Sequence, residues 1–504
     1  MPALLVVFVH GWSVTNTDIY GELPARLIAE AAKTGGPRLD VQHIHLGQYV
    51  SFRDEVRIPD ISRAFDAALA AVLKDAGANR RFACITHSTG GPVVRDWFDR
   101  TYVQAKRASE CPMSHLIMLA PANFGSALAQ LGKTRLAAIK AWFDGVEPGQ
   151  GVLDWLELGS PEACALNLRW IEDYPRLKLV EGANPLFHFV LSGDTIDRKL
   201  YDFVNPYTGE IGSDGVVRLA AANLNATHIV LEQPAVQAGE ALPSARKRLR
   251  SLLKVSSRRA APTAFKIIAG ASHSGESKGI MRSVHNDGIA HVTVDAILRC
   301  LQIKDATAYA ALCGAFTLEN AARQDVGSRL EVEKVPVLPD RTYIHDPRSM
   351  VIFRLLDTQQ LGTPDVKVLL TAGPNNDPNQ LPENFLADRQ FNKRSGNLTF
   401  FLNHAALAGC PPIPGLKAGS IARPALIPRQ PYGLRIQPRD GDAFVEYWAA
   451  ELHANVQDLL PLIPPNETTI IDIRLTRVVR EGVFRLTRQL APRSFKNPDP
   501  GGAL

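Results

Sequence analysis

RFACITHSTGGPVVRDWF, residues 81–98, changes from an apolar run into an amphipathic helical pattern around a single serine, Ser88. The apolar run ends at Ile85, and the helical pattern starts directly after the serine. A strand that turns this sharply into a helix lifts the serine hydroxyl above the carboxyl edge of a parallel sheet. Gly90 and Gly91 supply the small residues that such a turn and the packing of the next helix require. We therefore predict a nucleophile at Ser88, with a simple helix N-cap as the alternative.

The same alternation of short apolar runs and helical patterns extends over residues 1 to about 310. Such alternation predicts βαβ units and a mainly parallel, doubly wound sheet with helices on both faces. The run LLVVFVHG, residues 4–11, is predicted to contain the first strand, and the runs at 186–194 and 264–273 are predicted to contain the last.

Beyond about residue 340, strand-like runs follow one another with Pro- and Gly-rich connections and without helical patterns between them. This pattern of strand-like runs predicts an all-β, sandwich-like domain. The predicted organisation is an α/β domain over residues 1–333, with a helical lid or cap insertion at about 127–184. A linker at 334–347 and a C-terminal β-sandwich-like domain at 348–504 follow.

Composition and charge limit the classes of protein that this chain can represent. Its 504 residues exceed what one compact core accommodates, and 45% hydrophobic with 21% charged residues is typical of a soluble globular protein. A net charge of +5 is small for this length, so we predict no nucleic-acid partner. The six cysteines form neither a CxxC pair nor a His/Cys cluster, which argues against a structural zinc and a disulfide framework.

Targeting signals are not evident in the sequence. We find no uninterrupted apolar stretch of roughly 18 residues that could span a membrane. The N-terminus also lacks the basic region and cleavage site of a signal peptide. We therefore expect a cytoplasmic protein, and the sequence leaves leaderless export open.

A serine nucleophile that attacks a carbonyl needs N–H donors for the oxyanion that develops. The segment FVHGW, residues 8–12, ends the predicted first strand with a His-Gly step that can direct backbone N–H groups toward the site. We predict that the backbone N–H groups of Trp12 and Thr89 form this oxyanion hole. An ordinary turn at the end of a strand is the alternative for the His-Gly step.

The nucleophile also needs a histidine base and an acid that orients it, in the chain order serine, acid, histidine. Asp214, in a Gly-flanked loop, is the favoured acid, because Asp194 is more typical of a helix or turn cap. His273, five residues past a strand-like run, is the favoured base, and His285 near the final helix remains the alternative. His228 lies within an apolar alternation and is predicted to be a strand residue.

The segments VHGW, THSTGGPVVRDW, LAPANFGSALA, SDGVV and ASHSG together resemble the α/β-hydrolase superfamily, and within it bacterial lipases and the related phospholipases and PGAP1-like lipases. The resemblance covers residues 1 to about 300. It implies an α/β-hydrolase fold and a serine hydrolase that acts on carboxylic esters through an acyl-enzyme. SDGVV is similar to the loop that carries the triad acid in those lipases, which agrees with Asp214. Two features depart from the lipases: Thr86 replaces the first glycine of G-x-S-x-G, and the span from Asp214 to either histidine is longer.

Two further segments favour a lipid ester as the substrate. The insertion after Ser126 carries apolar residues with helix-like spacing, as a lipase lid would: Leu128, Leu131, Leu136, Ile139, Trp142 and Phe143. The segment 244–259 contains no acid and is rich in basic residues, among them Arg246, Lys247, Arg248 and Arg250. Those four residues could hold phosphate headgroups or an anionic membrane surface, with a solvated surface helix as the alternative.

We predict a phospholipase A or lipase that requires no cofactor and no metal. Some lipases bind calcium near the catalytic histidine, but Asp287 has no evident partner for such a site. The alternatives are a soluble carboxylesterase, an amidase, or a non-catalytic binding protein on a hydrolase scaffold. The C-terminal β domain could bind lipid or a protein partner. A leaderless phospholipase with an extra domain also resembles antibacterial lipase effectors of type VI secretion, which is an analogy at the level of the family.

Overall fold

A computed structural model describes most of the chain. The described residues are 3–9, 20–44, 53–77, 80–132, 149–196, 211–237, 242–333, 341–359, 364–439 and 445–479.

Strands and helices alternate in the first part of the chain, and strands dominate the last part. The strands are β1 (Leu4–Val9), β2 (Leu39–Ile44), β3 (Phe82–His87), β4 (Met113–Leu119), β5 (Phe187–Gly193), β6 (Ala226–Glu232), β7 (Leu253–Arg259), β8 (Ala264–Ile268), β9 (Leu330–Glu333), β10 (Arg341–Ile344), β11 (Arg348–Asp357), β12 (Val366–Ala372), β13 (Leu386–Phe391), β14 (Leu398–Asn403), β15 (Ile413–Pro414), β16 (Ile421–Arg423), β17 (Tyr432–Pro438), β18 (Val445–Glu446), β19 (Ala450–Ala454), β20 (Thr468–Leu475) and β21 (Val478–Val479). The α-helices are α1 (Leu23–Lys33), α2 (Ile58–Ala76), α3 (Gly90–Phe98), α4 (Ala127–Gly132), α5 (Gln150–Leu156), α6 (Pro161–Glu172), α7 (Tyr174–Leu177), α8 (Leu219–Ala222), α9 (Leu242–Leu249), α10 (Val292–Leu301), α11 (Ala306–Arg323), α12 (His404–Ala408) and α13 (Val456–Leu459).

The first sheet is parallel throughout, in the order β2-β1-β3-β4-β5-β8. Its central strands β3 and β4 are buried at every position, because helices cover both faces. One face packs against α2 and α3 through residues such as Phe65 and Trp97, and the other packs against α1, α10 and α11 through residues such as Leu27 and Phe316. The α/β-hydrolase type of sheet that the sequence predicts, including its first strand, is confirmed.

The second sheet combines strands from both parts of the chain, in the order β13-β14-β11-β20-β6-β7. Strand β20 pairs in parallel with β11 on one side and with β6 on the other. Strands β6 and β7 come from residues 226–259, within the long span that separates Asp214 from His273. That span therefore leaves the first sheet, adds two strands to the second, and returns as β8.

A third sheet, β12-β17-β19, shares one hydrophobic core with the second. Phe353 of the second sheet and Val368 and Ile436 of the third belong to this core. The predicted C-terminal β-rich region is thus present, and His228 is a strand residue, as predicted. The predicted domain boundaries remain predictions, and residues 334–340 of the predicted linker lie outside the described residues.

The predicted insertion at about 127–184 contains the helices α4 to α7. Leu128 is buried in the same core as Trp155 and Trp170. Leu136, Ile139, Trp142 and Phe143 lie outside the described residues, as does the side chain of Leu131, so the lid stays a prediction. Within the described part of the chain, no helix has both the length and the apolar character that crossing a bilayer requires.

A cluster of charged side chains around the buried residues His228 and Asp472 joins α6 to the second sheet. The imidazole of His228 on β6 lies 2.7 Å from the carboxylate of Glu172 on α6 and 3.2 Å from that of Asp472 on β20. Arg258 and Arg354 contact the same two carboxylates at 2.9 and 3.0 Å. Burial by itself lowers the pKa of His228, but hydrogen bonds and attraction from Asp472 and Glu172 outweigh it, so the pKa is raised.

We predict that replacing His228 with Gln lowers the melting temperature more at low pH than at high pH. A histidine whose pKa is raised on folding stabilises the protein fully below its unfolded pKa of about 6.5, and this contribution is lost as the pH rises through the folded value. Thermal melts of both proteins from pH 5.5 to 9 measure the difference. A difference that grows with pH would contradict the assignment.

Candidate active site

Ser88 occupies the junction between β3 and α3 in a strained backbone conformation. Its φ is +53°, in the left-handed region that non-glycine residues seldom adopt. The Ser88 amide donates to the carbonyl of Leu119 (3.0 Å), and the Ser88 carbonyl accepts from the amides of Gly91 (3.2 Å) and Ala122 (3.4 Å). A Cβ atom at Gly91 would lie 2.8 Å from the Cβ of Pro121, so glycine is required there for α3 to start this close to the sheet.

Asp214 lies in a tight loop whose backbone holds one oxygen of its carboxylate. Oδ1 accepts from the amides of Val216 (3.0 Å) and Val217 (2.7 Å), and Gly215 has a φ of +97°. The Asp214 side chain is fully buried. The two amides therefore satisfy Oδ1, while Oδ2 remains available for another donor.

His273 lies between Asp214 and Ser88, in the loop after β8. Its Nδ1 is 2.9 Å from Asp214 Oδ2, and its Nε2 is 3.1 Å from Ser88 Oγ. The His273 amide also donates to the Asp214 carbonyl at 2.9 Å, which fixes the two loops against each other. Because an ionised carboxylate only accepts, Nδ1 carries the proton, and Nε2 can accept the proton of the serine. The structure therefore brings together the three residues that the sequence analysis favoured.

His87 is a neighbour of the site that sequence analysis missed. Its buried ring lies 4.7 Å from the ring of His273, and its Nε2 is 3.1 Å from the His273 carbonyl. A carbonyl only accepts, so His87 Nε2–H donates this bond and supports the His273 backbone. The available signal was the position of His87 directly before the serine, at the end of a strand buried on both sides.

The segment ANFGS, residues 122–126, connects the surroundings of Ser88 to the loop at residues 213–218, which contains the predicted acid Asp214 and is called the acid loop below. Ser126 Oγ donates to the carbonyl of Val216 at 2.6 Å. Asn123 accepts from Arg95, a buried residue of α3 that also donates to Asn167 of α6 at 3.0 Å. Burial lowers the pKa of Arg95 to about 10, which still leaves its guanidinium charged near neutral pH.

The structure does not bring the remaining candidates to this group. Asp194 accepts from the amide of Gly270 at 3.1 Å and forms an ion pair with Arg323. The carbonyl of His285 accepts from Arg26 at 3.3 Å, and the same arginine pairs with Asp287 at 3.1 Å.

The predicted oxyanion donors are only partly within the described residues. Thr89 lies directly between Ser88 and the start of α3, whereas Trp12 is outside the described residues. Among the residues that the structure describes, no group of three or more His, Cys, Asp or Glu side chains could hold a metal ion.

The geometry of this site defines the chemistry that it can perform. Nε2 of His273 can take the proton from Ser88 Oγ as the oxygen attacks a carbonyl carbon, and Asp214 can stabilise the resulting imidazolium. The three residues have exposed fractions of 7%, 0% and 3% for Ser88, Asp214 and His273, so their mutual electrostatic attraction is screened little by water. Such an arrangement suits acyl transfer from an ester or an amide.

Comparisons with known proteins identify a relative over the whole chain. Phospholipase PlaB from Legionella pneumophila has a solved structure with a TM-score of 0.80 and 40% sequence identity, over 98% of this chain and 98% of that protein. A second structure of the same phospholipase, in complex with thio-NAD, matches at 38% identity and a TM-score of 0.80 over 99% of both chains. No protein-family model and no curated protein sequence matches this chain.

We predict that replacing Asp214 with Asn lowers kcat by roughly 10³- to 10⁴-fold, because the amide cannot hold His273 in the required tautomer. The measurement is hydrolysis of p-nitrophenyl butyrate at saturating substrate. Asp194→Asn is the matched control and is expected to keep kcat within about threefold, since this acid pairs with Arg323 instead. Equal losses in the two variants would argue against the role of Asp214.

Proposed function

Because this chain belongs to the family of bacterial phospholipases that includes PlaB from Legionella pneumophila, we propose that it hydrolyses a fatty-acyl ester bond of glycerophospholipids. It is an ester hydrolase of the α/β-hydrolase type. The observation that carries the proposal is the hydrogen-bonded series Ser88, His273 and Asp214, in which both links measure about 3 Å.

In the proposed reaction, Ser88 Oγ attacks the ester carbonyl while His273 Nε2 takes its proton. The tetrahedral intermediate collapses, and His273 returns the proton to the oxygen of the departing lysophospholipid. Water then attacks the acyl-enzyme with His273 as base, releases the fatty acid and regenerates Ser88. Asp214 remains ionised throughout and orients His273.

The oxyanion of both tetrahedral intermediates requires N–H donors. We assign this role to the backbone amides of Thr89 and Trp12. The support for Thr89 is its position next to the nucleophile at the start of α3, where helix amides point toward developing negative charge.

We further propose that a basic groove beside α9 binds to an anionic membrane surface. Arg246, Lys247 and Arg250 are exposed and line a groove of about 810 Å³ together with Tyr447 and Trp448. The guanidinium of Arg246 lies 5.1 Å from the ring centroid of Trp448. Cations beside aromatic side chains suit the interface between water and lipid headgroups.

Arg248, the fourth basic residue singled out from the sequence, is in a different environment. It is half-buried and donates to the carbonyl of Ala235 at 2.6 Å. We therefore assign the attraction for anionic lipid to the three exposed cations.

We predict that vesicles of mixed zwitterionic and anionic phospholipids yield lysophospholipid and free fatty acid with the wild-type protein, and neither product with Ser88→Ala. Mass spectrometry of the extracted lipids measures both products. Cleavage of p-nitrophenyl butyrate without any phospholipid product would overturn the assignment of phospholipid and leave a carboxylesterase.

A second prediction concerns the groove. Replacing Arg246, Lys247 and Arg250 together with Ala should weaken binding to phosphatidylglycerol vesicles roughly 100- to 200-fold at low salt, at about 1 kcal/mol per lost charge. Co-sedimentation with vesicles measures the binding, and cleavage of the soluble ester should be unchanged. The control removes three other exposed cations, Lys33, Lys74 and Lys106, and an equal effect there would refute a specific role for the groove.

A further inference from the structure

Arg218 connects the acid loop to a strand of the C-terminal region. It follows Val217 directly, its side chain is 1% exposed, and its guanidinium forms an ion pair with the carboxylate of Asp388 on β13. The guanidinium also lies 4.2 Å from the ring centroid of Phe401 on β14. Arg218 and Asp388 are 170 residues apart in sequence, so the second sheet supplies the partner.

The backbone of Arg218 closes the loop that holds Asp214. Ser213 and Arg218 form an isolated antiparallel bridge across this loop, and the Asp214 amide donates to the carbonyl of Val217 at 3.2 Å. The carbonyl of Arg218 then accepts from Ala221 at 2.9 Å at the start of α8. A displacement of Arg218 therefore moves the two amides that hold Asp214 Oδ1.

Asp388 is itself fixed from a second direction. The side-chain amide of Gln390 donates to Asp388 Oδ2 at 3.0 Å and to the carbonyl of Ala127, the first residue of α4, at 3.4 Å. The side chain of Asp388 is only 9% exposed. The carboxylate thus has a defined position relative to both α4 and the acid loop.

Because this ion pair is buried, it contributes more to the position of the groups that it joins than to the stability of the protein. A buried ion pair contributes little net stability compared with apolar residues of the same volume, because both charges lose their hydration. Its position is nevertheless well defined, since the carboxylate of Asp388 hydrogen-bonds the guanidinium of Arg218 and the ring centroid of Phe401 lies 4.2 Å from that guanidinium. A pair of this kind, next to a catalytic acid, suits positioning better than stabilisation.

We propose that Asp388, acting through Arg218, is a positioning residue that keeps Asp214 aligned with His273. This inference rests on the proposed role of Asp214 in ester hydrolysis. The C-terminal region would then form part of the catalytic framework of the enzyme, in addition to any binding that it performs.

The first test is Asp388→Asn, which keeps the shape of the side chain and removes its charge. We expect kcat for p-nitrophenyl butyrate to fall at least tenfold with KM within twofold of wild type, because substrate binding does not involve this pair. The acidic limb of the pH profile of kcat/KM should also move to lower pH, since a displaced Asp214 stabilises the His273 imidazolium less. A purely structural role would leave that limb unchanged.

Two further variants make the test decisive. Arg218→Met combined with Asp388→Leu replaces both charges with apolar groups, which buried ion pairs commonly tolerate. This double variant is expected to fold and still to lose kcat at least tenfold. Glu162→Gln is the matched control, because it removes the ion pair that Arg394, next to β13, forms with α6, and it should keep wild-type kcat.

The proposal is overturned if Asp388→Asn, or the double variant where the single one does not fold, retains kcat within twofold and an unshifted acidic limb. A fall in kcat that only follows the loss of folded protein, measured by circular dichroism, also overturns it. Because the assay uses a soluble ester, the test of Asp388 does not depend on whether the protein cleaves phospholipids. If the wild-type protein cleaves the ester but no phospholipid, the assigned substrate fails and the positioning role can still be measured.

Discussion

The buried carboxylate of Asp214 is the constraint on which the rest of the site depends. A carboxylate with no exposure to water needs hydrogen bonds at both of its oxygens, and in Asp214 different groups supply them. Backbone amides of Val216 and Val217 hold one oxygen, and among the described residues it is His273 that donates to the other. The orientation of the imidazole, and hence the direction of its Nε2 toward Ser88, follows from this division.

The strained backbone conformation of Ser88 is likewise held by the groups around it. A non-glycine residue with positive φ costs on the order of 1–3 kcal/mol, which neighbouring contacts must offset. The backbone bonds to Leu119, Gly91 and Ala122 hold the residue in place. The absence of a side chain at Gly91 allows α3 to approach Pro121. The two strand ends and the helix start therefore form one rigid unit around the serine hydroxyl.

Local sequence patterns predicted the parts of this protein whose structure is determined locally. The strand, turn and helix around Ser88 follow from residues that are adjacent in the chain. Asp214 was favoured because it lies in a Gly-flanked loop and His273 because it closely follows a strand-like run, and the structure places them within hydrogen-bonding distance. The apolar pattern around His228 likewise marked a strand, although such a pattern does not specify which sheet the strand joins.

Long-range pairing explains what the sequence analysis missed. Strands β6 and β7 join the second sheet because β20, more than 200 residues later, pairs with β6. The contact between Arg218 and Asp388 likewise depends on where β13 lies, and no periodicity in the sequence reports it. His87 was missed for a different reason, since its role depends on the His273 carbonyl that the fold brings to it.

The place of β20 in the second sheet affects the order in which the chain can fold during synthesis. This strand lies between β11 and β6, so the sheet consists of two separate halves until residue 475 has left the ribosome. Strand β6 emerges much earlier and has an unpaired edge during that interval, which is the condition under which strands associate with other chains. The first sheet contains only strands up to residue 268 and has no such requirement. Its strands are complete while the second sheet, against which the acid loop is anchored, is still unfinished.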